Sequence, residues 1–145
     1  MNQHIRIKRI YAPAEPADGT RVLVDRIWPR GVCKADARLD AWMRDIAPST
    51  ELRRWFGHDP SRWQTFRERY RKELAAVPEA LSELMRLCRA GPLTLLFAAR
   101  NETHNHAVVL REVLAEELAE EWSERESSSP VCYGSEFPGY YDGDS

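Results

Sequence analysis

LTLLFAARNETHNHAVV, residues 93–109, is the stretch on which the fold turns. Leu93 to Ala99 is a nearly unbroken apolar run behind the breakers Gly91 and Pro92. A run too short for a helix and bounded in this way predicts a strand buried on both faces. Arg100 to Asn105 is polar. From about His104 to Trp122 a helix is expected, with Leu110, Val113, Leu114 and Leu118 on its inward face. Strand, polar loop and helix are the order of an open α/β sheet, where ligands sit beyond the carboxyl ends of the strands. The loop here holds Arg100, Asn101, Glu102, His104, Asn105 and His106.

Arg21 to Trp28, RVLVDRIW, predicts a second strand. The consecutive Val22, Leu23 and Val24 suit a central position covered on both faces. Pro29 and Gly31 end it, which leaves Asp25, Arg26, Trp28, Arg30 and Gly31 at its carboxyl end. Helices fill the interval up to Leu93. In Arg38–Ile46, Leu39, Trp42, Met43 and Ile46 follow the i, i+3, i+4, i+7 spacing of a helix, which Pro48 stops. Ser49 or Thr50 caps a short helix carrying Leu52, Trp55 and Phe56, closed by Gly57. Asp59 and Pro60 open a longer one with Trp63, Phe66, Tyr70 and Leu74 inward. Pro78 opens another with Leu81, Leu84, Leu87 and Cys88 inward.

A crossover of this length joins parallel strands. Both carboxyl ends then lie on one side of the sheet, and Asp25, Arg26, Trp28 and Arg30 approach Arg100, His104 and His106. Ile5, Ile7 and Ile10 predict a first strand whose alternation slips after Ile7, as at an edge or a bulge. Pro13, Pro16 and Gly19 make Tyr11–Thr20 a loop. The expected architecture is α/β: a small central, mainly parallel sheet flanked by helices, in a single compact domain of residues 1–122. Residues 123–145 form an acidic tail rich in Ser, Gly, Pro and Tyr, expected to be disordered.

The totals narrow the function classes. The 145 residues suffice for one core, and a net charge of −2 provides no global field toward nucleic acid or an anionic membrane. No apolar run approaches the ~20 residues of a membrane span. MNQHIRIKRIY lacks a signal-peptide core, so a cytoplasmic location is expected. Cys33, Cys88 and Cys132 form no CxxC pair, and their odd number fits a reducing compartment.

Four chemistries compete for the convergent residues. A small-anion site, phosphate- or nucleotide-like, would use the helix N-terminus near His104 with Arg26, Arg30, Arg100, Gly31 and Asn105, and Trp28 as a stacking face. The bland alternative is that these arginines pair with Asp25, Asp45 or Glu102 and only tie loops down. A divalent metal held by His104 and His106, with Glu102, Asp25 or His58 completing the set and serving a hydrolase, is a second reading. On a helix those two imidazoles point about 200° apart, which is poor geometry for one ion. Acid–base catalysis would take His106 or His104 as base and Asp25 as its orienter. A nucleic-acid- or protein-binding module would use Arg53, Arg54, Arg62, Arg67, Arg69, Arg71 and Lys72. Interleaved Glu51, Glu68 and Glu73 make a solvated helix face the simpler account, and nucleic acid is not favoured. No cofactor motif is present: P-loop, GxGxxG and Gly-x-Ser-x-Gly are all missing.

RIKRIY at 6–11, RVLVDRIWPRG at 21–31, LDAWMRDIAPSTELRRWFGHDP at 39–60, RWQTFRERYRKEL at 62–74, GPLTLLFAAR at 91–100 and NHAVVL at 105–110 together carry a resemblance. The chain resembles the YeaO-like branch of the bacterial domain of unknown function 488 family, from about Ile5 to Trp122, with the tail outside the pattern. The resemblance implies a small α/β domain and brings no assigned activity. It also implies that other branches carry a Cys-His-Arg motif at the start of the last helix and a cysteine near the end of the preceding strand. Here Asn105-His106-Ala107 and Ala98-Ala99 stand at those places, so thiol chemistry does not carry over.

Overall fold

The structure, a computed structural model, describes residues 5–127, with side chains through Glu121. Expectations for the tail beyond Ser127 lie outside the described residues. The backbone divides into two compact units, one of residues 2–115 and one that takes in Glu116 onward. Among the described residues the first holds β1 (Ile5–Arg9), β2 (Thr20–Leu23), β3 (Ala41–Trp42) and β4 (Leu93–Phe97). It also holds α1 (Lys34–Ala37), α2 (Thr50–Phe56), α3 (Trp63–Ala75), α4 (Pro78–Ala90) and the first turns of α5 (His106–Ser127). The second unit contributes the remainder of α5. No described helix is long and apolar enough to cross a membrane.

The four strands form one parallel sheet in the order β1-β4-β2-β3. All five residues of β4 are buried, as a strand covered on both faces requires. It pairs with β1 from Ile5↔Leu93 to Arg9↔Phe97 and with β2 from Thr20↔Leu93 to Leu23↔Leu96. The slip after Ile7 therefore marks an edge strand. Ile46, Phe66, Tyr70, Leu74, Leu84, Leu110 and Leu114 are buried, as are Val22, Leu93 and Leu95, which share one face of the sheet, while Leu23 and Leu96 on the other face cluster with Ile10 and Ala37. α4 turns Met85 inward beside Leu84, while Leu81, Leu87 and Cys88 are only partly covered.

Several boundaries differ from the sequence reading. β2 stops at Leu23, well before Trp28. Val24 N–H still reaches Leu96 O at 3.0 Å, but Asp25 then turns its carboxylate onto Ala98 N–H at 3.0 Å and ends the ladder. That same bond ends β4 at Phe97, not Ala99. α5 begins at His106 and runs past Trp122 to Ser127. A 3-10 turn, Pro16–Asp18, interrupts the expected loop.

The largest correction is Arg38–Ile46, which is not a helix. Arg38 takes left-handed geometry (φ 50°) and closes α1. Asp40 N–H donates to Arg21 O at 2.8 Å, and Met43 N–H donates to Leu23 O at 2.9 Å. The segment between them is β3, and a 3-10 turn, Arg44–Ile46, follows. A free strand edge offers hydrogen bonds that outweigh an i, i+3, i+4 pattern, because local propensity is a weak term.

Ser49 caps α2: its Oγ accepts from Leu52 N–H at 3.1 Å and donates to Glu73 Oε2 at 2.6 Å. The other carboxylate oxygen accepts Ser49 N–H at 2.7 Å, which ties α2 to α3. Ser49→Ala is expected to lower stability by about 1–2 kcal/mol. Urea unfolding checks it: the midpoint should fall with an unchanged slope.

Candidate functional site

The parallel sheet sends the carboxyl ends of β2 and β4 the same way, and the chain after each strand is held in place by its own backbone. Beyond β4, Arg9 donates to Ala98 O at 3.2 Å and to Ala99 O at 3.0 Å. Asn101 then folds an Asx turn, its Oδ1 accepting Thr103 N–H and His104 N–H, each at 2.9 Å. Asn105 is buried and caps α5. Its Oδ1 accepts Val108 N–H at 3.1 Å, and its Nδ2 donates to Asn101 O at 2.8 Å. On the other side, Arg26 donates to Ala47 O at 3.1 Å and Pro48 O at 3.3 Å, fastening the segment that leads into α2.

These pieces enclose a cavity of about 630 Å³. Asp25, Arg26, Ala98, Ala99, Arg100, Asn101, His104, Asn105 and His106 line it from the strand ends and the start of α5. The crossover adds Ala47, Pro48, Arg53, Phe56, His58 and Phe66. Phe56 and Phe66 stack with ring centroids 4.5 Å apart, and both are buried. His58 takes a left-handed backbone (φ 61°) just after the Gly57 that ends α2, which places it on the same rim.

Within the cavity wall, His106 and Asp25 form a close pair. His106 Nε2 lies 3.0 Å from Val24 O and 3.1 Å from Asp25 Oδ1, and both side chains are about 85 % covered. The imidazole hydrogen is aligned on Val24 O. Asp25 Oδ1 therefore lies close to the ring nitrogen without an aligned hydrogen bond and has no other partner. Tyr70 packs its ring edge-on to His106 and donates its hydroxyl to Ile46 O at 2.6 Å. Burial, then the charges of Glu73 and Asp25, push its phenol well above the usual range, so Tyr70 stays a donor. His104 leans edge-on against Trp63 at 4.9 Å, with Nδ1 2.9 Å from Thr103 Oγ1.

Of the residues singled out from sequence, Asp25, Arg26, Arg100, His104, Asn105 and His106 meet around this cavity. Trp28, Arg30 and Gly31 do not line it. Trp28 packs with Trp42 over the cluster Ile10, Leu23, Ala37 and Leu96, and its Nε1–H donates to Val32 O at 2.8 Å. Arg30 is exposed and offers its carbonyl to Tyr11. Gly31 serves an exposed turn with φ 78°. No cluster of three or more His, Cys, Asp or Glu side chains suited to a metal ion occurs among the described residues. His104 and His106 are held by different partners. Arg53, Phe56 and Phe66 escaped the sequence reading as wall residues, while His58, offered there as a completing metal ligand, lines the cavity. Gly57 and His58 both take left-handed backbone at the end of α2.

Of the arginines singled out from sequence, Arg26 ties a loop down through the Ala47 and Pro48 carbonyls. Neither Arg53 nor Arg100 has a carboxylate partner among the described residues, and Asp25 pairs with His106 rather than with an arginine. Three guanidinium groups thus face one carboxylate in a chain whose net charge is −2. The basic helix faces are otherwise engaged. Arg62 and Arg69 lie over the Trp55 ring, and Arg67 and Arg71 reach Glu112.

A family model described as the Inactive DUF488-N3 subclade matches residues 4–134 and so takes in part of the segment expected to lie outside the family pattern. The Uncharacterized protein YeaO of Escherichia coli (strain K12) is 49% identical over 111 residues, covering 77% of this chain and 96% of that protein. The Uncharacterized protein Rv3073c of Mycobacterium tuberculosis (strain ATCC 25618 / H37Rv) is 44% identical over 110 residues, covering 76% and 92%. No solved structure gives a significant match.

Proposed function

From a chain that belongs to the inactive DUF488-N3 subclade, we propose a binding protein whose cavity holds a small anionic, phosphate- or nucleotide-like ligand without turning it over. The observation that carries this reading is the excess of guanidinium over carboxylate in the cavity wall, with Arg53 and Arg100 unpaired. Arg53 and Arg100 can each donate to an anion through a planar fork, while Arg26, whose Nε and Nη2 hold the Pro48 and Ala47 carbonyls, adds its charge. The start of α5 adds the positive end of its dipole. Ala98-Ala99 and Asn105-His106-Ala107 supply no thiol, in keeping with the subclade's description as inactive. Cytoplasmic residence belongs to the same proposal, since Cys33 and Cys88 are unbonded thiols.

Pyrophosphate titrated at low salt, followed by tryptophan fluorescence through Trp63 beside His104, tests it. Arg53→Ala and Arg100→Ala should each weaken binding by about tenfold, and added salt should weaken it further. Arg30→Ala, remote from the cavity, should change nothing. Equal affinity in the Arg53→Ala/Arg100→Ala double variant and the unaltered chain would sink the proposal.

A further inference from the structure

The wall of the cavity combines charged, apolar and hydrogen-bonding parts. Arg53, His58 and Arg100 are exposed, Phe56 and Phe66 are buried, and Asp25 and His106 are mostly covered. An orthophosphate ion would occupy only a small part of 630 Å³, a volume within the range of organic ligand sites. The apolar part of the wall would then stay wet. Water against Phe56, Phe66, Ala98 and Pro48 is displaced more favourably by an apolar body than by an ion.

The pair His106 and Asp25 is more specific. His106 Nε2 faces two acceptors, the Val24 carbonyl and the Asp25 carboxylate. Neither can donate, so the ring proton stays on Nε2. In the neutral ring the lone pair then belongs to Nδ1, which no described protein group engages, on a residue that lines the cavity. Asp25 is held in turn by Ala98 N–H, so the ring's orientation is anchored in the β4 backbone.

We propose that the ligand is an organic anion with three parts. Its anionic head lies on Arg53 and Arg100, its flat apolar body lies against Phe56 and Phe66, and an amino or hydroxyl donor meets His106 Nδ1. The proposal rests on the anion-binding reading and gives it a ligand class: an aryl or heterocyclic phosphate bearing a hydrogen-bond donor. His106 acts here as a specificity determinant, and Asp25 as the residue that positions it.

Three probes separate the parts: inorganic phosphate, phenyl phosphate and 4-aminophenyl phosphate, titrated calorimetrically into the full chain at pH 8 and fixed low ionic strength. Phenyl phosphate should bind at least about tenfold more tightly than inorganic phosphate, from burial of the ring. The amino group should add about fivefold, the worth of one neutral hydrogen bond. In His106→Leu the amino group's gain should vanish while the ring's gain persists. A failure of that variant to fold leaves the decision to the probe series on the unaltered chain. The proposal is overturned if phenyl phosphate binds no more tightly than inorganic phosphate, or if the amino group adds nothing. Binding of none of the three, or binding indifferent to Arg53→Ala and Arg100→Ala, would instead remove the anion reading beneath it.

Discussion

Asp18→Asn is expected to cost the fold about 3–5 kcal/mol, the range for removing one partner of a buried charge pair. Asp18 is fully buried at the end of the sheet opposite the cavity. Its Oδ2 accepts from Arg21 at 2.5 Å and from Glu15 N–H at 3.0 Å, and its Oδ1 accepts from Lys8 at 3.0 Å. Arg6 approaches at 3.5 Å, and the Asp18 carbonyl accepts the Thr94 hydroxyl at 2.8 Å. One residue thus clamps β1, β2 and β4. Asparagine keeps the volume but leaves Arg21, itself 5 % exposed, with its carbonyl partners Ala37 and Arg38 and no counter-charge. Urea denaturation measures the loss, and a change below about 1 kcal/mol would refute the clamp. The acid limb carries the same signature. Burial pushes this carboxyl up, but the Glu15 N–H, the Lys8 and Arg21 hydrogen bonds and the Lys8 charge together outweigh it and hold it below its ordinary value. A depressed carboxyl contributes stability above its unfolded pKa of about 3.9 and loses it as pH falls through its native value. The unaltered chain should therefore lose stability below about pH 4, in a segment missing from Asp18→Asn.

Gly19→Ala is expected to be as damaging, by at least about 3 kcal/mol, for a steric reason. Gly19 has φ 65° and ψ −133°, a region that side chains rarely adopt. A Cβ there would lie 2.4 Å from Pro92 O and 2.7 Å from Pro92 Cβ. Pro92 O is also the acceptor for Thr20 N–H at 3.0 Å, the bond that sets the β2–β4 register. The clash cannot be relieved without moving the first rung of the central ladder. Thermal unfolding should show a drop of many degrees. Gly31→Ala has nothing within 4 Å of its added Cβ, so it carries the backbone strain alone and should cost far less. Equal losses in the two variants would mean that close approach to Pro92 is not the cause.

Elements carried by continuous apolar runs or by caps were legible in the chain. Leu93–Phe97 and Val22–Val24 are strands because nothing else buries such runs, and Ser49 and Gly57 bracket α2 through local chemistry alone. Arg38–Ile46 was misread because its structure is set by Arg21 and Leu23, about twenty residues away, whose free backbone groups no local spacing reveals. Half of the cavity wall was legible on the same footing. Asp25, Arg26, Arg100, His104, Asn105 and His106 follow strand ends, and parallel topology brings strand ends together. Arg53, Phe56, His58 and Phe66 reach the wall through the packing of a crossover, which depends on how α2 and α3 seat on the sheet. Trp28 looked like a stacking surface but turned to the opposite problem, covering Leu23 and Leu96.

The strand order has a consequence for how the molecule is born. β1 and β2 emerge early from the ribosome, yet both take β4 as their partner, and β4 begins only at Leu93. Until then the nascent chain has only the two-residue β2–β3 rung for pairing, while Ile5–Ile10 and Val22–Val24 present open backbone edges. Long-range closure of this kind is slow and exposes adhesive surface while it waits. Sheet assembly is therefore expected to wait for the pentapeptide Leu93–Phe97, and a chain truncated before it is expected to lack a folded sheet.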